Sequence, residues 1–161
     1  MNKTIDHIIQ EYGSTLFKVC LGYSTSVEDA QDLLQEVLIN IWKNLDSFQQ
    51  KSALKTWLYR IAVNTCLMKL RKKTVPTIAF NKDDFDWMQY NPSSSMDNET
   101  FEILHQLIQD LPEQDKSITL LYLEGLSHKE IADVTGITAN YVGVKINRIK
   151  QTLSQKIKSY E

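Results

Sequence analysis

Cysteine is nearly absent from this chain of 161 residues, and the two present, Cys20 and Cys66, form no CxxC and join no His/Cys cluster. That excludes a zinc-ribbon site and a disulfide framework, and leaves two buried reduced thiols as the expectation. Glycine is also scarce, with five in all, and no Gly-rich phosphate loop, HExxH or GxSxG occurs. His7, His105 and His128 are scattered, so nothing nominates a catalytic centre, a cofactor or a small-molecule substrate. No apolar run approaches the roughly 20 residues that a spanning helix needs. The opening MNKTIDHIIQEYG has neither the apolar core nor the cleavage site of a secretory signal. No membrane insertion and a cytoplasmic location are therefore expected.

A different absence points toward function. Between Gln49 and Lys82 there is no acidic residue at all. Within it, KSALKTWLYRIAVNTCLMKLRKK (Lys51 to Lys73) combines seven Lys and Arg with Trp57 and Tyr59. Cations that follow phosphates and rings that stack on bases suit a single-stranded nucleic-acid surface. An amphipathic core helix with a solvated basic face reads the same residues equally well.

The net charge of −2 is unusual for a free DNA binder, but the charges lie in blocks. Ser24 to Asp46 carries Glu28, Asp29, Asp32, Glu36 and Asp46 against Lys43 alone. Val134 to Tyr160 carries Lys145, Arg148, Lys150, Lys156 and Lys158 with no acid. One surface for a protein partner and two for a polyanion follow, with weak unaided DNA binding.

The fold class expected is all-α: two small helical domains joined by a linker. Ile5, Ile8, Ile9, Tyr12, Leu16, Val19 and Cys20 recur at helical spacing from Thr4 to about Leu21. After a turn at Gly22 to Ser26, Ser26 can cap a helix from Val27 to about Leu45. Its apolar stripe is Val27, Ala30, Leu33, Leu34, Val37, Leu38, Ile41, Trp42 and Leu45, with Asp32, Gln35, Glu36 and Asn40 facing away. A third helix from Thr56 places Trp57, Leu58, Ile61, Ala62, Thr65, Cys66, Met68 and Leu70 on one broad face and ends near Thr74, ahead of Pro76. Thr74 to Asn98 reads as a linker, although Phe80, Phe85, Trp87 and Tyr90 are too aromatic for a purely solvated tether.

Two helices then follow, one from Glu99 to about Asp110 and one restarting at Leu111-Pro112-Glu113, with Ile118, Leu120, Leu121 and Leu123 apolar and Gly125 at its end. Ser127 and Glu130 form a capping box, Gly136 supplies a turn, Ile137 plugs the core and Thr138 caps a last helix. That helix buries Val142, Ile146, Ile149, Leu153 and Ile157 and turns Asn140, Tyr141, Val144, Lys145, Asn147 and Arg148 outward. Such a pair is a helix-turn-helix, whose second helix enters the major groove. A free-standing dimeric regulator and an all-helical adaptor both remain compatible with these features.

Three segments in order, DAQDLLQEVLINIW (Asp29 to Trp42), TWLYRIAVNTCLMKLRKK (Thr56 to Lys73) and LPEQDKSITLLYLEGLSHKEIADVTGITANYVGVKINRIKQTL (Leu111 to Leu153), resemble the regions of extracytoplasmic-function (ECF) sigma factors of the sigma-70 family. The resemblance implies a non-enzymatic subunit that binds RNA polymerase core and directs promoter recognition and initiation. It implies a sigma2-like domain over 1–73, a linker over 74–98 and a sigma4-like helix-turn-helix domain over 99–161. Asp32, Gln35, Glu36 and Asn40 would meet the clamp helices of the polymerase large subunit, and the second domain would meet the flap. Phe48, Lys51, Lys55, Tyr59, Arg60, Asn64, Arg71 and Lys72 would bind the minus-ten element, with a base-capturing loop between Phe48 and Lys55. Thr138, Asn140, Tyr141, Val144, Lys145 and Arg148 would bind the minus-35 element. The linker would thread through polymerase, with Asp83, Asp84 and Asp86 mimicking a polyanion, and an anti-sigma factor is the implied antagonist. The chain departs from many members at Gly143 and Val144, where Lys and Ser are common.

Overall fold

A computed structural model of the chain describes residues 3–48, 53–71 and 98–159, and each regular element among them is helical. The residues group into two units, Met1–Ser94 and Ser95–Glu161. The first contains α1 (Lys3–Gly22), α2 (Val27–Asn44), a 3₁₀ turn at Leu45–Ser47 and α3 (Leu54–Arg71), and the three α-helices pack against one another.

Local chemistry explains where α2 begins. Ser26 is extended, and its hydroxyl accepts a hydrogen bond from the Asp29 amide at 3.1 Å. Glu28 and Asp29 then occupy the first turn, where the helix dipole favours negative charge. Upstream, the buried Ser24 hydroxyl donates to the Cys20 carbonyl at 2.6 Å, satisfying one of the acceptors left over at the end of α1. The core joins Ile8, Leu16, Phe17 and Val19 of α1 to Leu33, Leu34, Val37, Leu38 and Ile41 of α2, and Leu58, Ala62 and Val63 of α3. Each fully buried aliphatic or Phe side chain contributes about 1.5–3 kcal/mol. Cys20 and Cys66 are free thiols within this core. Burial, followed by a hydrogen bond with Cys20, pushes the Cys66 thiol well above the usual range.

Two faces differ from the periodicity reading. Trp42, expected in the α2 stripe, is 61% exposed, and Val27 is exposed too, whereas Ile39 is buried. Trp42 follows Ile41 by about 100° around the helix axis, and the two flanking helices cover only the Ala30 to Ile41 line. On α3, Met68 and Leu70 are exposed and Trp57 and Ile61 half-buried, whereas Thr56, Tyr59 and Val63 are buried alongside Leu58, Ala62, Thr65 and Cys66. Apolar residues surround α3, so period alone does not select a side. Packing by both α1 and α2 does.

The second unit contains α4 (Asn98–Gln109), α5 (Glu113–Leu123), α6 (His128–Thr135) and α7 (Ala139–Lys158). Pro112 stands immediately before α5, where its missing N–H costs nothing, and its carbonyl accepts from the Lys116 amide at 2.8 Å. The capping box at Ser127 is complete: its hydroxyl accepts from the Glu130 amide at 3.1 Å, and the Glu130 carboxylate accepts from the Ser127 amide at 2.9 Å. Gly136 adopts φ 83°, the left-handed turn that ends α6, and Thr138 caps α7 through the Tyr141 amide at 3.1 Å. Ile118, Leu121, Leu126, Ile131, Val142, Ile146 and Ile149 fill the core. Ile137 and Leu153 are half-buried, and Leu123 and Ile157 are exposed, contrary to the stripes expected of them. α7 has 20 residues against eight in α6, so among the described elements its last turns run past the partners that would cover them.

The expected linker falls outside the described residues except for Asn98, which starts α4.

Candidate nucleic-acid and protein-docking surfaces

α2 and α3 run antiparallel, and side chains from the acidic side of α2 reach across to α3. The Asn40 amide donates to the Thr65 hydroxyl at 2.9 Å, and that hydroxyl donates on to the Ile61 carbonyl at 2.7 Å. One turn back, Glu36 Oε1 lies 3.7 Å from Lys69 Nζ. Asn40 and Glu36 thus already have partners within the domain, Gln35 is half-buried, and Asp32 is the exposed member of the four. An acidic ridge headed by Asp32 therefore adjoins the acid-free helix α3.

On α3, Lys55 and Arg60 are half-buried, and Asn64 and Arg71 are exposed. Lys51 and Lys72 lie outside the described residues. Tyr59 is corrected: at 2% exposure its ring belongs to the core and cannot stack on a base. Phe48 is half-buried at the other edge, its ring 4.8 Å from that of Trp57 and tilted by 37°. The aromatic contribution on this side is thus the Phe48–Trp57 pair. Tyr59, by contrast, points into the three-helix core.

On the helix-turn-helix, Thr138, Asn140, Tyr141, Val144, Asn147 and Arg148 are exposed. Asn140, Val144 and Asn147 fall at steps of four and three, so they share one side of α7. Lys145 departs from the expected free cation. Its ammonium lies 2.9 Å from Asp115 Oδ1 in the first turn of α5, with the two side chains only 21% and 17% exposed. The hydrogen bond that the Lys145 ammonium donates to the Asp115 carboxylate holds it in its charged form to a higher pH than usual, outweighing desolvation. Lys150, further along α7, sits 4.8 Å over the ring of Tyr122. Gly143 is opposed by His128: a Cβ at 143 would come within 3.3 Å of His128 Nδ1. Periodicity alone could nominate Asn147, seven positions after Asn140. Nothing local signals Asp115 or His128.

The comparisons with known proteins follow this division. Sigma-70 region 2 matches residues 8–75, and Sigma-70 region 4 matches residues 101–153. The ECF RNA polymerase sigma-E factor of Haemophilus influenzae is 30% identical over 96% of this chain and 88% of its own length. The chain belongs to the ECF sigma factors.

Other relatives agree with that membership. The ECF RNA polymerase sigma-E factor of Escherichia coli is 34% identical over 80% of this chain and 74% of its own. The RNA polymerase sigma-H factor of Pseudomonas aeruginosa is 28% identical over 96% and 86%. Among solved structures, CnrH in complex with the cytosolic domain of CnrY superposes with a TM-score of 0.75 at 18% identity, covering 100% of this chain and 92% of that one. The sigma factor RpoE of Bartonella quintana, in complex with the anti-sigma factor NepR, gives 0.69 at 21% identity over 92% and 95%. Those two share its fold. As a sigma factor, the protein is a transcription initiation factor and not an enzyme, and its two sigma domains act with RNA polymerase and promoter DNA. No described helix is long and apolar enough to cross a membrane.

Proposed function

We propose that this ECF sigma factor docks on the clamp helices of the polymerase large subunit through the outer side of α2. Asp32 is the principal contact, with Gln35, Glu36 and Asn40 beside it. The first domain, 1–73, engages the minus-ten element through Phe48, Lys51, Lys55, Arg60, Asn64, Arg71 and Lys72. A base extruded there costs a few kcal/mol, which the captured strand's contacts must offset. The second domain, 99–161, contacts the flap and reads the minus-35 duplex through the capped start of α7: Thr138, Asn140, Tyr141, Val144 and Arg148, with Lys145 at the edge. Residues 74–98 link the two. The protein works in the bacterial cytoplasm, where the polymerase is, and an anti-sigma factor antagonises it, as the complexes of CnrH and RpoE suggest by analogy.

The observation that carries this reading is the outer side of α7. A complete capping box, a left-handed Gly136 and a Thr138 cap fix the helix-turn-helix, and α7 presents hydrogen-bonding side chains and the cationic Arg148 to solvent from its first three turns. Run-off transcription tests it directly: purified core polymerase, with and without the chain, is presented with a library of promoter sequences. Specific transcripts are expected only in the mixture, and equal initiation by core alone refutes the reading. For the docking side, Asp32→Lys should abolish co-purification with core while leaving the helical circular dichroism unchanged. Normal co-purification of that variant removes Asp32 from the contact.

A further inference from the structure

The Asp115–Lys145 pair joins α5, the helix preceding the helix-turn-helix, to the second turn of the recognition helix. Its position is unusual for a surface ion pair. Asp115 Oδ1 is closed off from solvent, and among the described residues its close partner is the Lys145 ammonium. Two half-buried, oppositely charged groups at 2.9 Å are screened less than fully exposed ones. The next cation on α7, Arg148, is exposed. The side chains that share the outer side with it, Asn140, Val144 and Asn147, are neutral.

We propose that Asp115 is a specificity-determining residue for minus-35 recognition: by retaining the Lys145 ammonium, it withholds one sequence-independent phosphate contact from the recognition helix. The inference rests on α7 being the minus-35 reader. Phosphate neutralisation is the term that binds every duplex alike, because each neutralised phosphate releases condensed counterions whatever the sequence. Base-edge contacts from neutral side chains discriminate between sequences instead. A cation held by an internal carboxylate adds nothing to the first term. The ratio of specific to non-specific binding rises as a result, at the expense of total affinity. Asp115 thus raises selectivity by withholding an attraction rather than by adding a repulsion. It touches no base.

The test uses holoenzyme assembled from core polymerase and the full-length chain. Binding is measured by fluorescence anisotropy between 50 and 200 mM salt, on a promoter from the run-off library and on an unrelated duplex of equal length. Asp115→Asn should bind the unrelated duplex more tightly and steepen its log–log salt slope by about 0.9, so that its advantage over wild type is about 3.5-fold larger at the low-salt end. Its promoter-to-unrelated ratio should fall correspondingly. In the Lys145→Ala background the same substitution should leave the slope where Lys145→Ala alone puts it. Asp115→Ser replaces Asp115→Asn if the latter lowers the thermal midpoint enough to unfold the second unit. A wild-type slope and wild-type unrelated-duplex affinity in Asp115→Asn overturns the proposal, as does a gain that persists in full without Lys145. Arg148→Ala separates the two levels. If it weakens binding while Asp115→Asn is silent, the role of Asp115 alone fails. If Arg148→Ala leaves duplex binding unchanged, the reading of α7 fails and the proposal falls with it.

Discussion

Replacing Gly143 by Ala gives a direct test of the packing at the recognition helix. A glycine inside a helix costs about 1 kcal/mol relative to Ala, because it loses more backbone freedom on folding. Against that gain stands His128: the new Cβ would lie 3.3 Å from its Nδ1 and 3.4 Å from its Cε1. Those atoms belong to the end of an exposed side chain at the first position of α6, so the ring can swing aside by the few tenths of an ångström required. An off-rotamer displacement of about 30° would cost about 0.5–1.5 kcal/mol, and the movement needed here is smaller. The helix term therefore wins, and Gly143→Ala should stabilise the second unit by about 0.5–1 kcal/mol. For a helical unit of this size, that raises the melting midpoint by about 2–8 °C. Circular dichroism melting of the full chain measures it, with the second unit's transition followed in both wild-type and His128→Ala backgrounds. The gain should grow slightly when His128 is also Ala, because the opposing ring is gone. A lower midpoint in both backgrounds refutes the reasoning, since something other than His128 would then resist the Cβ.

Three further outcomes follow from contacts on the same scale. Asn40→Ala removes the tie between α2 and α3 and should cost about 1 kcal/mol in urea denaturation, with Thr65→Ala coupling to it in a double-mutant cycle; fully additive losses would deny the bond any weight. Ser127→Ala breaks the capping box and should lower the second unit's stability by about 1 kcal/mol, seen as an earlier melt without loss of helix at low temperature. For Cys66, burial raises the folded thiol's pKa above its unfolded value of about 8.5. Above that pH the unfolded chain sheds the proton while the native state keeps it, so stability should fall by up to about 1.4 kcal/mol per pH unit until the folded thiol titrates. Below pH 8.5 this contribution is flat. Urea midpoints from pH 7.5 to 9.5 should lose that share of the slope in Cys66→Ala, and an unchanged slope would show that the thiol is not the source.

Much of the helical framework was legible because its determinants are local. Ser26, Ser127 and Thr138 each satisfy an amide three residues ahead, and Gly136 supplies the one left-handed residue between α6 and α7. These decisions involve neighbours within a single turn, so the chain's order alone carries them. The same is true of the charge blocks on α2, α3 and α7, and of the ordered segments by which the chain resembles its family.

Which side of each helix met which neighbour was not legible. Trp42 read as core and is exposed; Tyr59 read as a DNA contact and is buried. Both errors arise where a helix is apolar around more of its circumference than a single stripe, so that only the arrangement of α1 and α2 selects the covered part. The polar pairings were equally hidden: Asn40 with Thr65, Glu36 with Lys69, Asp115 with Lys145, and His128 over Gly143. Each joins residues distant in the chain, and a charge that looks free in sequence can already be neutralised by a partner that only packing brings within reach. The sequence by itself therefore determined the helices, their caps and the family. The tertiary structure decided which cations of the recognition helix are available to DNA, because Lys145 meets Asp115 only where α5 crosses α7.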